Sequence, residues 1–443
     1  MDALVLGAGI TGLAAARRLR REGLRVTVLE AAARPGGCLQ TLRQDGFVIE
    51  VGPNTVLRSP ELVDLCRDAG CEQRLISASP EGKKRYVVFD GRLQALPASP
   101  PALLRSPLLT AGAKLRLFTE PLRSAGPGPQ ETVGAFFRRR LGPQVAERLG
   151  DAMVTGIYAG NPDELTVGAA FPRLYHLERE HGSLIRGAIA ARRAKTPRRE
   201  IIGHDAGFAT LAEELAEDLD LRLETRVTAI TAAQDGFHVE ASAGDSAETF
   251  GAVPRLVLAL PQETTLSLLS PFFGATPLDA SPAPLPSAPV AVVALGYPRE
   301  RIGHPLDGFG FLVPHREHRP ILGCLFPSRL FPGRAPKGCE LLVAMVGGRR
   351  RSELAEQPEE ELYRSVQEQL EEFLEVRGEP VMRHVQRWLP GIPQPTAAQA
   401  ALKTAVATVE ARHPGLTVLG NWRYGVGIPD CVDAGWSVEG PIS

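Results

Sequence analysis

The sequence predicts an α/β protein that opens on a parallel βαβ unit, and three observations lead to that fold class. The apolar run Leu4-Val5-Leu6 passes directly into Gly7-Ala8-Gly9-Ile10-Thr11-Gly12 and then into a stretch rich in Ala, Leu and Arg. This is a buried strand, a glycine turn and a helix start in immediate succession. A second apolar run, Leu24 to Leu29, follows Gly23 and ends on Glu30. A nearly all-apolar run returns much later at Arg255 to Pro261, as a strand buried on both faces requires.

Each glycine of the first turn has a task. Gly7 permits the tight turn, Gly9 lets a pyrophosphate approach the backbone, and Gly12 lets the helix pack on the strand, with Ile10 and Thr11 opening a helix whose N-terminus faces the anion. Glu30 stands where a carboxylate would bind ribose hydroxyls, and it would repel a 2′-phosphate. An ordinary βαβ unit is the plainer reading of this stretch taken alone. The segment Arg34-Pro35-Gly36-Gly37-Cys38-Leu39-Gln40-Thr41 adds a second glycine turn with a cation beside it. A plain NAD-binding unit has no use for it. FAD, which extends past its pyrophosphate into a ribityl chain and an isoalloxazine ring, does.

With 443 residues the chain has room for two or three domains and a large core. A net charge of −1 gives no reason to expect nucleic acid as a partner. The six cysteines contain no Cys-x-x-Cys pair and read as separate reduced thiols of a cytoplasmic protein. His304, His315 and His318 share a Pro-, Gly- and Arg-rich stretch without ligand spacing, so we expect a solvated loop and no metal. No signal peptide is expected, because the first strand begins almost at once. No apolar run approaches the roughly 18 residues of a spanning helix, so the expected protein is soluble or peripheral to a membrane.

Along the chain, Gly46 to Val51 reads as a strand delivering the loop Gly52-Pro53-Asn54, and Pro60 to Ala69 as a helix, with Cys66 and Cys71 as packing residues. Lys83-Lys84-Arg85 precedes the strand Tyr86–Phe89 and a hairpin turn at Asp90-Gly91, and a basic cluster in that position is ordinarily solvated. From about Leu96 to Arg199 helical patterns replace strands. The entry to this region combines Leu103, Leu104, Leu108, Leu109, Leu115, Leu117 and Phe118 with Arg105, Lys114 and Arg116, which suits a membrane surface and equally a helix buried against its neighbours. Thr155 to Pro162 and Gly182 to Gly187 read as glycine-bearing breaks between helices.

The sheet pattern resumes after Gly203. A helix starts at Gly207, and a strand starting at Leu221 to Leu223 continues through Thr225 to Ile230. Phe237 to Ala241 reads as another strand. After a Pro-rich linker from Ser281 to Pro289, a second sheet is expected from Val290–Leu295, Gly308–Val313, Ile321–Leu325 and Leu341–Val346, covered by a helix over Pro358–Arg377. Leu416 to Asn421 leads to Tyr424-Gly425-Val426-Gly427-Ile428-Pro429-Asp430-Cys431-Val432, where a helix N-terminus would meet the flavin from its far side.

Taken in order, Gly7 to Gly12, Gly36-Gly37, Gly52-Pro53-Asn54, Gly156-Ile157-Tyr158-Ala159-Gly160-Asn161, Trp388 to Gln394 and Gly425 to Cys431 resemble the oxygen-dependent protoporphyrinogen oxidase family over nearly the whole chain. That family belongs to a wider flavoprotein group with amine oxidases and phytoene desaturases. The resemblance implies a Rossmann-like FAD domain of the amine-oxidase (GR2) type from residues 1–76, 203–262 and 396–443. It implies a mixed-sheet substrate domain from 77–95 and 263–395, and a membrane-associated all-helical insertion over 96–202. It assigns non-covalent FAD to Gly7, Gly9, Ile10, Thr11, Gly12, Glu30, Arg34, Gly36, Gly37, Gly52, Pro53, Asn54, Val227, Trp388, Gly427, Ile428 and Pro429. Val227 would meet the adenine through its backbone. It assigns Arg85 to a substrate propionate, and Gly156, Leu306, Leu322, Leu342 and Met345 to the porphyrin plane.

The implied reaction removes six electrons from protoporphyrinogen IX in heme biosynthesis, with O2 reduced to hydrogen peroxide and no side chain serving as acid or base. The implied partners are the porphyrinogen, O2 and the membrane surface, in the cytoplasm; a homodimer and hand-over to a ferrochelatase stay open. Pro395 stands where the family pattern leads one to expect an aromatic or other apolar residue, and Gly-Pro-bearing residues up to Ser443 stand where the family usually continues a helix. A coproporphyrinogen III oxidase, an amine or carotenoid oxidoreductase, and a flavin-binding membrane-surface adaptor are the competing readings.

Overall fold

A computed structural model describes residues 1–193, 200–244, 246–274 and 282–439. At its centre is the strand Ala3–Leu6, whose four residues are all buried. It pairs in parallel with Val26–Leu29 on one side and Arg255–Leu258 on the other. Asp220–Arg222 and Leu416–Val418 extend the two edges, also in parallel. Because successive side chains alternate, Ala3 and Val5 enter one core layer and Leu4 and Leu6 the other. The first layer holds the helices Ile10–Arg21, Pro60–Asp68, Phe208–Ala216 and Ile428–Trp436. The second holds the meander Thr225–Ala233, Gly236–Ala243 and Ser246–Val253, with the helices Gln262–Leu269 and Ala398–Arg412.

The segment expected as one strand from Leu221 to Ile230 is two strands in two sheets. Glu224 turns the chain with φ +52°, its N–H donating to the Ala32 carbonyl and that of Thr225 to the Glu30 carbonyl. The next strand therefore leaves the parallel sheet beside Glu30 and starts the meander.

The second sheet has seven strands, in the order Met382–Pro393, Ser287–Pro298, Cys339–Gly347, Ile321–Leu325, Gly310–Leu312, Tyr86–Phe89 and Arg92–Ala95. All its pairings are antiparallel except Gly310–Leu312 with Tyr86–Phe89. Its second strand begins at Ser287, inside the expected linker; Ser281 itself lies outside the described residues. The acidic helix Glu359–Leu374 covers one face. The hairpin Thr41–Gln44/Phe47–Glu50 packs on the other face, which also carries Leu322, Met345 and Trp388. His304 is not part of a solvated loop: its ring lies edge-on to Tyr86 at 5.3 Å, and its Nδ1 accepts the Leu306 N–H at 3.0 Å.

Among the described residues from 100 to 193 every regular element is a helix or helical turn. Thr155 to Tyr158, expected in a break, form the last turns of the helix Asp151–Tyr158, and the break begins at Ala159 with φ +47°. Leu108 and Leu109 are buried against Val87 and Val145, whereas Leu104, Leu115, Phe118 and Leu122 are exposed. No helix among the described residues is long and apolar enough to cross a membrane.

The C-terminal helix Ile428–Trp436 lies directly on the first helix, and a Cβ at Gly435 would collide with the Thr11 carbonyl oxygen. Gly435→Ala is expected to cost about 1–3 kcal/mol through this overpacking, read as a lower thermal midpoint of the holoprotein.

Candidate active site

Gly7 turns at φ +98°, and any Cβ at Gly12 would strike the Gly7 carbonyl oxygen. Gly9 caps the helix Ile10–Arg21, and no atom lies within 4 Å of where its Cβ would be. The first turn thus presents bare backbone and a helix N-terminus to open space, with the Ile10 and Thr11 side chains buried beneath it. The second turn is seated on the first. The Gly36 N–H donates to the Ala8 carbonyl at 2.8 Å, and a Cβ at Gly37 would sit 3.4 Å from the Gly9 Cα. Arg34 donates to the carbonyls of Pro35, Gly37 and Leu39 at 3.0, 2.9 and 3.2 Å, so its guanidinium also laces its own loop together.

Glu30 is held by two backbone donors, Ala8 N–H and Ala32 N–H, both at 2.8 Å. One carboxylate oxygen is tied to the first turn and the other to the loop beyond the second strand, which leaves further acceptor sites for ribose hydroxyls. Val227 follows two residues after Thr225, at an irregularity in the meander between Val227 and Ala229.

The loop after Phe47–Glu50 closes on the same place. A Cβ at Gly52 would collide with the Cys38 carbonyl oxygen, and Pro53 follows in a half-buried position. Trp388 Nε1 donates to the Val51 carbonyl at 2.7 Å. Asn54 donates to the carbonyls of Glu50 and Gly52, both at 3.2 Å, while its Oδ1 is buried with no partner among the described residues. Gly427 caps the helix Ile428–Trp436, with Pro429 in the first turn. Burial pushes the Cys431 thiol up to about 12, so it is neutral at pH 7. The residues fit a dinucleotide with a long polar tail: bare backbone at two helix N-termini, a fixed ribose acceptor and an orphaned amide oxygen.

Behind this loop lies a buried pair that the sequence did not reveal. Glu50 Oε1 is 3.2 Å from Arg334 Nη1, with both side chains almost wholly inaccessible. Glu50 also accepts from Thr41 Oγ1 at 2.8 Å and from the Phe208 N–H at 3.1 Å, and Arg334 donates to the His204 carbonyl at 2.9 Å. Burial raises the Glu50 pKa, against the opposing pull of Arg334.

On the substrate side, strand alternation sorts the expected residues. Leu322 and Met345 share the sheet face with Leu312 and Trp388, and Met345 pairs with Gly323. Gly156, in the helix Asp151–Tyr158, packs against Leu312, whose methyls lie 3.0 Å from its would-be Cβ. Arg85 alternates with Tyr86 and so joins the Val87 face. Its guanidinium is 5.3 Å from the centre of the Phe309 ring, and it makes no ion pair among the described residues. Its neighbour Lys84 is bound to Asp307 at 2.6 Å. Leu306 and Leu342 are not brought to this face. Both are fully buried in the opposite layer under Glu359–Leu374, since positions 342 and 345 of one strand point in opposite directions. Phe309 and Leu312 were missed: cross-strand pairing leads from Met345 through Gly323 to Leu312, and that register is not legible in the sequence.

A family model described as flavin-containing amine oxidoreductase matches residues 10–438. The mitochondrial protoporphyrinogen oxidase of Nicotiana tabacum is 31% identical over 97% of this chain and 92% of its own length. The coproporphyrinogen III oxidase of Bacillus subtilis is 28% identical over 98% and 96%. Among solved structures, an Exiguobacterium protein assigned as a protoporphyrinogen oxidase superposes with TM-score 0.81 at 28% identity, covering 98% of this chain and 97% of that one. The chain belongs to the flavin-containing amine oxidoreductases. It is an FAD-dependent oxidoreductase.

Replacing Arg334 by Met leaves Glu50 buried without its cation, at an expected cost of about 3–5 kcal/mol near neutral pH. A carboxyl whose folded pKa is raised favours folding while protonated and loses that contribution as pH rises through the folded value. The Arg334→Met penalty should therefore be smallest at acid pH and grow toward pH 8, as urea unfolding at a series of pH values would measure.

Proposed function

We propose that this protein oxidises a porphyrinogen, converting protoporphyrinogen IX to protoporphyrin IX in heme biosynthesis with O2 as the final acceptor. Six hydrogens leave the macrocycle in three pairs, and three O2 take them up as three hydrogen peroxide molecules. The observation that carries this reading is Arg85, a cation that makes no ion pair among the described residues, at the rim of an apolar sheet face. The full-length likeness to enzymes named for porphyrinogen oxidation supports it.

FAD, when bound, supplies the two-electron acceptor. The Arg85 guanidinium would hold a propionate through two parallel hydrogen bonds, with the Phe309 ring keeping it in place. Leu312, Leu322 and Met345 would lie along the flat macrocycle and exclude water, while Trp388 anchors the Val51 carbonyl next to Gly52. No acid or base is required of the chain. Loss of hydride from a carbon between two pyrroles leaves a cation spread onto nitrogen, whose N–H protons are then shed, so positioning carries the catalysis. Coproporphyrinogen III is the second reading, favoured by Lys83, which also makes no ion pair among the described residues and would serve an additional propionate.

We infer that the exposed apolar side chains of the helical region meet a membrane surface. Leu104, Leu115, Phe118 and Leu122 are 52, 66, 65 and 82% exposed, with Arg105 and Lys114 among them. Apolar tips beside cations suit the boundary between acyl chains and headgroups.

An aerobic assay following porphyrin fluorescence and peroxide together, run on both porphyrinogens, tests the reaction and its substrate; no turnover of either would overturn it. Arg85→Ala is expected to raise KM more than it lowers kcat, with kcat/KM falling roughly 10–100-fold for the loss of a charged hydrogen bond. Unchanged kcat/KM would remove Arg85 from the site. The Phe118→Asp, Leu122→Asp double variant should lose co-sedimentation with anionic vesicles while keeping its flavin.

A further inference from the structure

A small pocket opens between the helix Ala398–Arg412, the turn Asn421–Val426 and Tyr158 of the helical region. Its lining includes Lys403 and no carboxylate. Among the described residues Lys403 makes no hydrogen bond and no ion pair, and the side-chain amide of Asn421 has no partner either. Two acids lie close by: Asp430, whose carboxylate reaches the pocket wall at Gly425, and Glu410, which is already committed. Glu410 holds Arg423 through both carboxylate oxygens, at 2.8 and 2.7 Å, and accepts the Val418 N–H at 2.7 Å. Lys403 itself is half-buried, and no carboxylate among the described residues pairs with it. Burial, with the Arg423 cation behind it, holds the Lys403 ammonium below the usual lysine range.

A desolvated ammonium is costly unless an anion accompanies it. We propose that the Lys403 pocket binds a small anion, a carboxylate or an inorganic ion of similar size, between the ammonium and the Asn421 amide. The pocket wall continues into the flavin site. Gly425 and Val426 line it and lead directly to Gly427, the cap of the helix Ile428–Trp436. An occupant therefore acts on the backbone that faces the cofactor, without touching the face that carries Arg85, Leu322 and Met345.

The test uses the FAD-loaded protein and no turnover, so it stands or falls apart from the porphyrinogen reading. Sodium acetate, chloride and phosphate are titrated separately at fixed pH, with ionic strength held by HEPES, following flavin absorption and the thermal midpoint. We expect a saturable change with at least one anion, in both signals or in the midpoint alone. Lys403→Met should weaken it tenfold or more, and Lys403→Arg should retain it. Saturation by acetate alone identifies a carboxylate site, and saturation by chloride or phosphate as well identifies a general anion site. No saturable change with any of the three, or an unchanged response in Lys403→Met, overturns the proposal.

Discussion

Main chain rests on main chain wherever the cofactor site is built, with no side chain between. The Gly12 backbone lies against the Gly7 carbonyl, that of Gly52 against the Cys38 carbonyl, and that of Gly435 against the Thr11 carbonyl. The two glycine turns touch through Gly9 and Gly37. Only at such separations can two helix N-termini, one capped by Gly9 and the other by Gly427, belong to one compact site. Their partial positive charges are parts of the scaffold, and using them requires no rotamer to be ordered. This also explains why the chemistry-bearing side chains are so few. A cofactor in this site would be met by amides, and side chains such as Glu30, Arg34 and Asn54 serve largely to hold those amides where they are.

The hairpin and the region of the seven-stranded sheet are joined by a connection of a different kind. Glu50 ends a strand of the hairpin that carries the Gly52 loop, while Arg334 comes from the region of the seven-stranded sheet, and they meet away from water. Trp388 makes a second connection from the edge strand of the same sheet to the Val51 carbonyl. The loop beside the cofactor is thus fixed from below by charge and from the side by an indole.

The parallel sheet was legible because its three central strands are mostly apolar, and the glycine turns because only glycine tolerates those contacts. The seven-stranded sheet was legible in its central strands for the same reason. Its edge strand Met382–Pro393 faces solvent along part of its length and carries no such run. The turn at Glu224 was hidden, since nothing local distinguishes a strand that continues from one that changes sheets. Arg334 was hidden as well: Gly333-Arg334-Ala335-Pro336 has the composition of a surface loop, and only tertiary packing brings it to Glu50. Leu306 and Leu342 were placed by resemblance; strand alternation puts Leu342 in the opposite layer, and the connection before Gly310–Leu312 buries Leu306 there as well.

The strand Cys339–Gly347 carries two messages on one string. Leu342, Ala344 and Val346 belong to the layer under the long helix, while Leu341, Val343 and Met345 belong to the layer that turns toward the cofactor loop. Leu341 and Val343 are themselves fully buried, so a lineage built on this strand can explore new molecules chiefly at Met345, the half-buried member of the second set, while the rest of the strand goes on preserving the fold.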